Sequence, residues 1–457
     1  MSAPYILPLS PPHSILIQDA KLVLASSGPP KRASILVSER KIKAIGEEQE
    51  IRKQFGSWDE SIDARECIAM PGLVNTHSHI AMSLLRGLAE DLPLLRWLQD
   101  RIWPLEAKLK PEHIEIGASL GAVEALLSGT TTMTSIYFYD RTGSEASALY
   151  DVGMRGVLAH GIFDWTEEKS LKKTEEFVQE WHGKDEGRIR VATSPHAPYS
   201  CSPELLKKIE ALREVLNQNH GRQYPVLNTL HVAEARGEAA EIESKYKVHV
   251  DRGVAAYLDS LAVLNSDTIA AHSVHLTDDD YVAFKKDKAA IASCPISNLK
   301  VGMGVADLPR ALSEGITVGL GTDGPASNNT LDMFETVKMA SLLSKGLKGD
   351  TTLMSAKDTF DLATVGGARA LHQENEIGGL APGMKADIVL LDLTSVSALP
   401  FYDPYHHIVY SARSGDVRDV FVDGRQIVKN RQILSVDLEK LRQKVISSVP
   451  EILESTN

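Results

Sequence analysis

Between Gly72 and about Leu371 the chain repeats one texture, a short apolar run followed by a longer amphipathic stretch. The runs are GLVNTHSH, TTTMTSIYF, RGVLAHGIFD, RIRVATSPHAP, PVLNTLHVAE, DTIAAHSVHL, AAIASCPISN and ITVGLGTDG, eight in all. Strands that alternate with helices must run parallel, because each helix carries the chain back to the start of the next strand. Eight such units over roughly 250 to 300 residues are the size of a (β/α)8 barrel. A doubly wound open sheet is the competing architecture, but no GxGxxG or GxxxxGK[ST] follows an early strand. The pattern predicts an α/β chain built on a TIM-like barrel.

The two ends of the 457-residue chain read differently. From Ile15, the stretches ILIQDAKLVLA, ASILVSERKIKAIG and ESIDARECIAMPG alternate in the manner of antiparallel strands, and LAPGMKADIVLLDL and RDVFVDGRQIVKN do so near the other end. We expect residues 1–70 and 379–457 to build one small β-sandwich domain together, flanking a hydrolase barrel over residues 71–378. A net charge of −12 argues against nucleic acid as the main partner, since phosphate binding needs a surplus of Lys and Arg. Cys67, Cys201 and Cys294 are odd in number and far apart, which excludes a disulfide framework or a CxxC zinc knuckle and fits a reducing compartment. MSAPYILPLSPPHS lacks the layout of a signal peptide and no run is long and apolar enough to span a bilayer, so a cytoplasmic location away from membranes is expected.

Barrel enzymes take their catalytic groups from the C-terminal ends of several strands. His77 and His79 stand one residue apart at the end of the first run, where alternation sends them to the same side. His196 ends the fourth run, His231 and Glu234 the fifth, His272 the sixth and Asp323 the eighth. Any one of these has an ordinary reading as a satisfied polar residue or, for Asp323 before a glycine, a turn residue. Their recurrence at equivalent ends of separate units places all seven on one rim.

Three neutral imidazoles and one carboxylate, from His77, His79, His231 and Asp323, suit zinc or another borderline divalent ion and leave a position for water. Catalytic zinc brings the pKa of its water toward about 7, so hydrolysis is the expected chemistry. Glu234, just past the strand that carries His231, is placed to take a proton from that water and pass it to a substrate nitrogen. His272 is placed to hydrogen-bond the attacking water, while the nearby His275 is read as structural.

The set NTHSH, TSPHAPY, LHVAE, AAHSVHL, CPISNLKVGMG and GLGTDGPASNNTLDMFE, with GLAPGMKADIVLLD beyond it, resembles the amidohydrolase superfamily and within it the 5′-methylthioadenosine/S-adenosylhomocysteine deaminases. The likeness covers nearly the whole chain. It implies one zinc per subunit on His77, His79, His231 and Asp323, with iron or manganese as alternatives. It also implies a proton shuttle in Glu234, a water-orienting His272, and an Asp323 that both binds the metal and moves a proton to departing ammonia. Binuclear members carry a bridging lysine at the end of the fourth strand. Here that strand reads ATSPHAPY, which favours a single metal. The resemblance further implies that His196 contacts a purine nucleoside, that Glu106 in RIWPLEAKL holds its ribose diol, and that Trp97 in PLLRWLQ walls the pocket. A homodimer or homotetramer is the assembly common among such enzymes.

One departure bears on the substrate. Members that bind S-adenosylhomocysteine grip its carboxylate with arginines around the third strand and the following helix. At the matching place this chain reads RGVLAHGIFD and EEKSLKKTEE, with His160 and lysines. Neither reproduces a bidentate arginine fork, so 5′-methylthioadenosine or adenosine is favoured. Met82, Leu85 and Met154 are the apolar residues considered for the 5′ side of the pocket. The rival readings are an aminohydrolase or chlorohydrolase of another ring, such as guanine, a pterin or an s-triazine, and a metal-binding barrel without catalysis. The small zinc deaminases with a PCxxC signature are excluded, because the chain has none.

Overall fold

The computed structural model describes residues 3–10, 13–24, 29–88, 90–92, 94–140, 142–220 and 223–454. The eight apolar runs form strands at Leu73–Ser78, Thr130–Tyr137, Arg155–Ile162, Ile189–Pro195, Asn228–Val232, Thr268–His272, Ala290–Ser293 and Thr317–Leu320. They pair in chain order, every pair parallel, in one eight-stranded sheet. Val74, Ile136, Val157, Ala192, Ile269 and Ala292 fill the interior as one buried cluster, so the barrel is a packed core rather than a pore.

Hydrogen bonds draw the first and last strands together. Thr76 Oγ1 donates to the Leu320 carbonyl at 2.9 Å, Asn75 Nδ2 to Thr322 Oγ1 at 2.7 Å, and the Asp323 amide to the His77 carbonyl at 3.0 Å. Gly321 permits this approach, since a Cβ there would lie 2.8 Å from the His77 carbonyl oxygen. The last of these bonds joins two of the expected metal ligands through their own backbones.

Strands from both chain ends form a single nine-stranded, mostly antiparallel sheet. The joint between the ends is the antiparallel pairing of Cys67–Pro71 with Ile388–Asp392. The outlying strands are Ile15–Val23, Lys31–Ser38, Lys41–Gly46 and Glu60–Asp63 on one side, with Val417–Val422, Arg425–Lys429 and Gln432–Ile433 on the other. Ile15, Ile35, Val37, Ile388, Leu390 and Phe421, drawn from both ends, share one buried cluster. The pairing departs from pure antiparallel alternation at Ile15–Val23, which runs parallel to both Glu60–Asp63 and Cys67–Pro71. The helix Glu48–Phe55 supplies the crossover that parallel neighbours require.

Buried charges tie this sheet to the barrel. Arg155, on the third barrel strand, donates two hydrogen bonds of 2.9 Å to Asp387 and one of 3.3 Å to Asp423, which also pairs with Arg40. Arg155, Asp387 and Asp423 are all buried, and removing one partner from such a pair costs about 3–5 kcal/mol through the charge left behind. Among the described residues no helix is long and apolar enough to cross a membrane.

Candidate active site

One cavity at the C-terminal end of the barrel is lined by His79, Trp97, Glu106, His196, His231, Glu234, His272 and Asp323, and His77 packs against three of its histidines. Every expected metal, catalytic and nucleoside-contacting residue therefore comes together here. Met82 is also on the wall, whereas Leu85 and Met154 are in the apolar core. His275 stands outside the cavity lining, half-buried.

Hydrogen bonds settle the protonation of two of the imidazoles. His79 Nδ1 lies 2.7 Å from the Ile136 carbonyl and His231 Nδ1 lies 2.7 Å from the His196 carbonyl. A carbonyl only accepts, so both Nδ1 atoms carry the proton and both Nε2 atoms present a bare lone pair. Those Nε2 atoms are 3.4 Å apart. Among the described residues neither nitrogen of the fully buried His77 has a hydrogen-bond partner, and the same holds for Asp323 Oδ1, which lies 3.4 Å from His77 Nε2 and 3.3 Å from His79 Nε2. Ligand atoms of His77, His79 and His231 lie within 4.8 Å of one another, as do those of His77, His272 and Asp323. Buried lone pairs converging without donors are costly unless a cation sits among them, and nitrogen with carboxylate oxygen is the donor set of zinc. The chain's own residues fit a metal ion.

Electrostatics agree. Burial lowers the pKa of His77 to about 4 and holds those of His79 and His231 below the usual range, so all three are neutral ligands near pH 7. Burial alone would raise Asp323, but the contact with His77 and the attraction of the surrounding imidazoles hold its carboxyl well below the usual carboxylate value. The second oxygen, Oδ2, accepts hydrogen bonds from Ser297 Oγ at 2.6 Å and Ser327 Oγ at 2.5 Å, which leaves Oδ1 turned toward the histidines.

Around this centre the remaining groups divide by role. His272 Nδ1 donates to Asn298 Oδ1 at 2.8 Å, which frees Nε2 to face Glu234 Oε1 at 3.8 Å. Burial raises the pKa of the Glu234 carboxyl. His272 (φ 68°), Asp323 (φ 63°) and Ala233 (φ 50°) hold left-handed backbone that non-glycine residues rarely adopt, a form of strain that gathers at functional sites. His196 Nδ1 bonds Ser200 Oγ at 2.7 Å, and its ring packs on Phe163 at 4.6 Å between centroids. Glu106 ends the short helix Trp103–Glu106 with both oxygens buried and, among the described residues, without a hydrogen-bond partner. Burial pushes it up to about 8, and the Tyr137 hydroxyl offsets part of that rise without completing a hydrogen bond.

Sequence reasoning missed Trp103, Phe138 and Tyr199, which wall the cavity, and Ser297, Ser327 and Asn298, which orient its polar groups. All but Trp103 lie in or just after the chain segments that leave strand ends, so position was the signal and residue type was not. Beside the cavity, and sharing Phe138 with it, runs an open groove lined by His160, Phe163, Trp165, Lys169, Lys172 and Lys173 among others. No arginine lines the groove or the cavity among the described residues, and Lys173 is paired with Glu176 at 2.8 Å.

Residues 68–427 match the model of the amidohydrolase family. The chain belongs to the amidohydrolase family. Among similar amidohydrolases, a 5-methylthioadenosine/S-adenosylhomocysteine deaminase of Pelotomaculum thermopropionicum is 39% identical over 433 residues, 94% of this chain and 96% of that one. A 5′-deoxyadenosine deaminase of Methanocaldococcus jannaschii is 40% identical over 430 residues, covering 93% and 97%. The crystal structure of a zinc-bound adenosine deaminase from Xanthomonas campestris superposes with a TM-score of 0.89 at 29% identity, covering 98% of this chain and all of that one. This amidohydrolase is a hydrolytic enzyme, and its barrel carries a metal-binding cluster of histidines and aspartate.

Proposed function

We propose that this amidohydrolase removes the C6 amino group of an adenine nucleoside by hydrolysis, yielding the hypoxanthine nucleoside and ammonia, with a single zinc held by His77, His79, His231 and Asp323. The observation that carries the nucleoside reading is Glu106. Its two buried, unpartnered oxygens line the same cavity as the histidine cluster, and a carboxylate is matched to two adjacent hydroxyl donors such as a ribose diol. A free base or a triazine gives such a carboxylate nothing to hold. The names of the three relatives described above, each an adenine-nucleoside deaminase, support the same class.

The chain's own groups account for the proton traffic. A zinc ion held by this donor set would lower the pKa of a water toward about 7 and so make hydroxide available near neutral pH. Glu234, with its raised pKa, gives a proton to the ring nitrogen next to C6 as that carbon takes up oxygen. His272 Nε2 accepts a hydrogen bond from the incoming water, and Asp323 helps return a proton to the amino group as it leaves. His196 and Trp97 bound the nucleoside, and Trp103 and Phe138 complete the wall. The absence of arginine among the described lining residues favours 5′-methylthioadenosine or adenosine over S-adenosylhomocysteine.

Ammonia release, compared as kcat/KM for adenosine, 5′-methylthioadenosine, S-adenosylhomocysteine and guanine, tests this reading. Preference for either of the first two supports it. Preference for S-adenosylhomocysteine refutes the inference from the missing arginines, and turnover of guanine alone refutes the nucleoside assignment. Glu234→Gln is expected to keep zinc and lose at least about a hundredfold in kcat.

A further inference from the structure

The Glu234 carboxylate is poorly held for a group that must deliver a proton to one atom. Among the described residues no group hydrogen-bonds it, and its ion-pair neighbour, His272 Nε2, is 3.8 Å away. Its aim must come from the backbone beneath it. That backbone is gripped from both sides. The Glu234 amide donates to Glu238 Oε2 at 2.9 Å and the Ala233 amide to Glu238 Oε1 at 3.3 Å. On the opposite edge, the Ala233 carbonyl accepts from the Val274 amide at 3.0 Å and the His275 amide at 2.9 Å. The single peptide unit joining Ala233 to Glu234 is thus fixed at its N–H by Glu238 and at its C=O by the loop that carries His272.

We propose that Glu238 is a positioning residue for catalysis, a buried side chain whose two oxygens bridge successive backbone amides and so fix the proton-carrying Glu234 against His272. Glu238 is 3% exposed and does not line the cavity, so it acts only through Glu234. It opens the helix Glu238–Tyr246 behind Gly237, whose φ of 86° lets the chain turn sharply enough for the side chain to reach back. The left-handed Ala233, at φ 50°, is the strain this bridge sustains. Glu suits the task because each of its two oxygens takes one amide, whereas an amide side chain has a single acceptor oxygen; burial beside Glu234 pushes this carboxyl up to about 8, and the two amides it accepts from pull the other way.

The proposal rests on the shuttle role of Glu234, and the experiment separates the two. Glu238→Ala and Glu238→Gln are compared with Glu234→Gln for kcat, KM, zinc content and amide hydrogen exchange of a peptide spanning 232–237. Both Glu238 variants should lose kcat, about 10–100-fold for Ala and less for Gln, with KM and zinc content within about twofold and faster exchange at 233 and 234. Should Glu238→Ala fail to fold, Glu238→Gln carries the test alone. If Glu234→Gln is inactive while the Glu238 variants keep full kcat, or lose KM and kcat together, the positioning role is overturned. If Glu234→Gln stays active, the shuttle assignment itself fails.

Discussion

His79 Nε2 and His231 Nε2 face each other at 3.4 Å with no proton to share, because each ring has already committed its Nδ1 proton to a backbone carbonyl. Two opposed lone pairs repel in a buried site, and a divalent cation turns that repulsion into coordination. Chelation should therefore abolish ammonia release and lower Tm, and added zinc should restore both. His79→Ala should already lack stoichiometric zinc, so that neither chelation nor added zinc shifts its Tm. Stoichiometric zinc retained by His79→Ala would contradict the assignment.

Ser297 and Ser327 both spend their hydroxyl protons on Asp323 Oδ2, at 2.6 and 2.5 Å. They hold the carboxylate in the one orientation that points Oδ1 at His77 and His79. Groups that orient a metal ligand in this way are each worth about 10–100-fold in affinity. Ser297→Ala with Ser327→Ala should weaken zinc binding by at least that factor in a competition titration against a chelator, at unchanged fold. Equal affinity would show that Asp323 needs no such support.

The barrel was legible because its information is periodic: each strand announces itself by an apolar run of its own, and the polar residue at its end stands out against that run. His77, His196, His231 and Asp323 could be read one strand at a time for that reason. The joint between the chain ends was legible only in outline. Alternation marks Ile388–Asp392 and Cys67–Pro71 as strands, yet nothing local says that they pair with each other. The supporting groups were hidden more deeply. Ser327 is an ordinary turn residue and Ser297 and Glu238 stand in the first turns of helices, and their roles exist only where three-dimensional proximity creates them. The parallel pairing of Ile15–Val23 was invisible for the same reason, since alternation fixes which face a strand buries but not the direction of its neighbour.

Acid should destabilise the metal-free protein. Burial lowers His77 to about 4 and His196 to about 3, whereas an unfolded histidine titrates near 6.5. Between about pH 6.5 and 4 the unfolded chain therefore binds more protons than the folded one, and stability falls as pH falls. Each group contributes about 1.4 kcal/mol per pH unit across its own window, and nothing above pH 7. Denaturant midpoints of zinc-free protein from pH 7 to 4 should trace this slope, and His196→Gln should flatten it. A midpoint independent of pH over that range would contradict neutral, buried imidazoles.

Glu106 should leave its own mark on the pH dependence of catalysis. Burial raises its pKa to about 8, so in the free enzyme below that pH it is mostly a carboxylic acid, which offers one hydroxyl donor where a ribose diol needs acceptors. Binding a diol requires the carboxylate, whose fraction falls tenfold per pH unit below the pKa. Because kcat/KM reports the ionisation of free enzyme, its value for adenosine should climb with pH and level off near 8. Glu106→Gln should lack this limb and show a lower plateau. So should the wild-type enzyme acting on 2′,3′-dideoxyadenosine, which has no diol to bind. The same limb in all three measurements would assign the ionisation to another group and remove the pH argument for Glu106 as the ribose carboxylate.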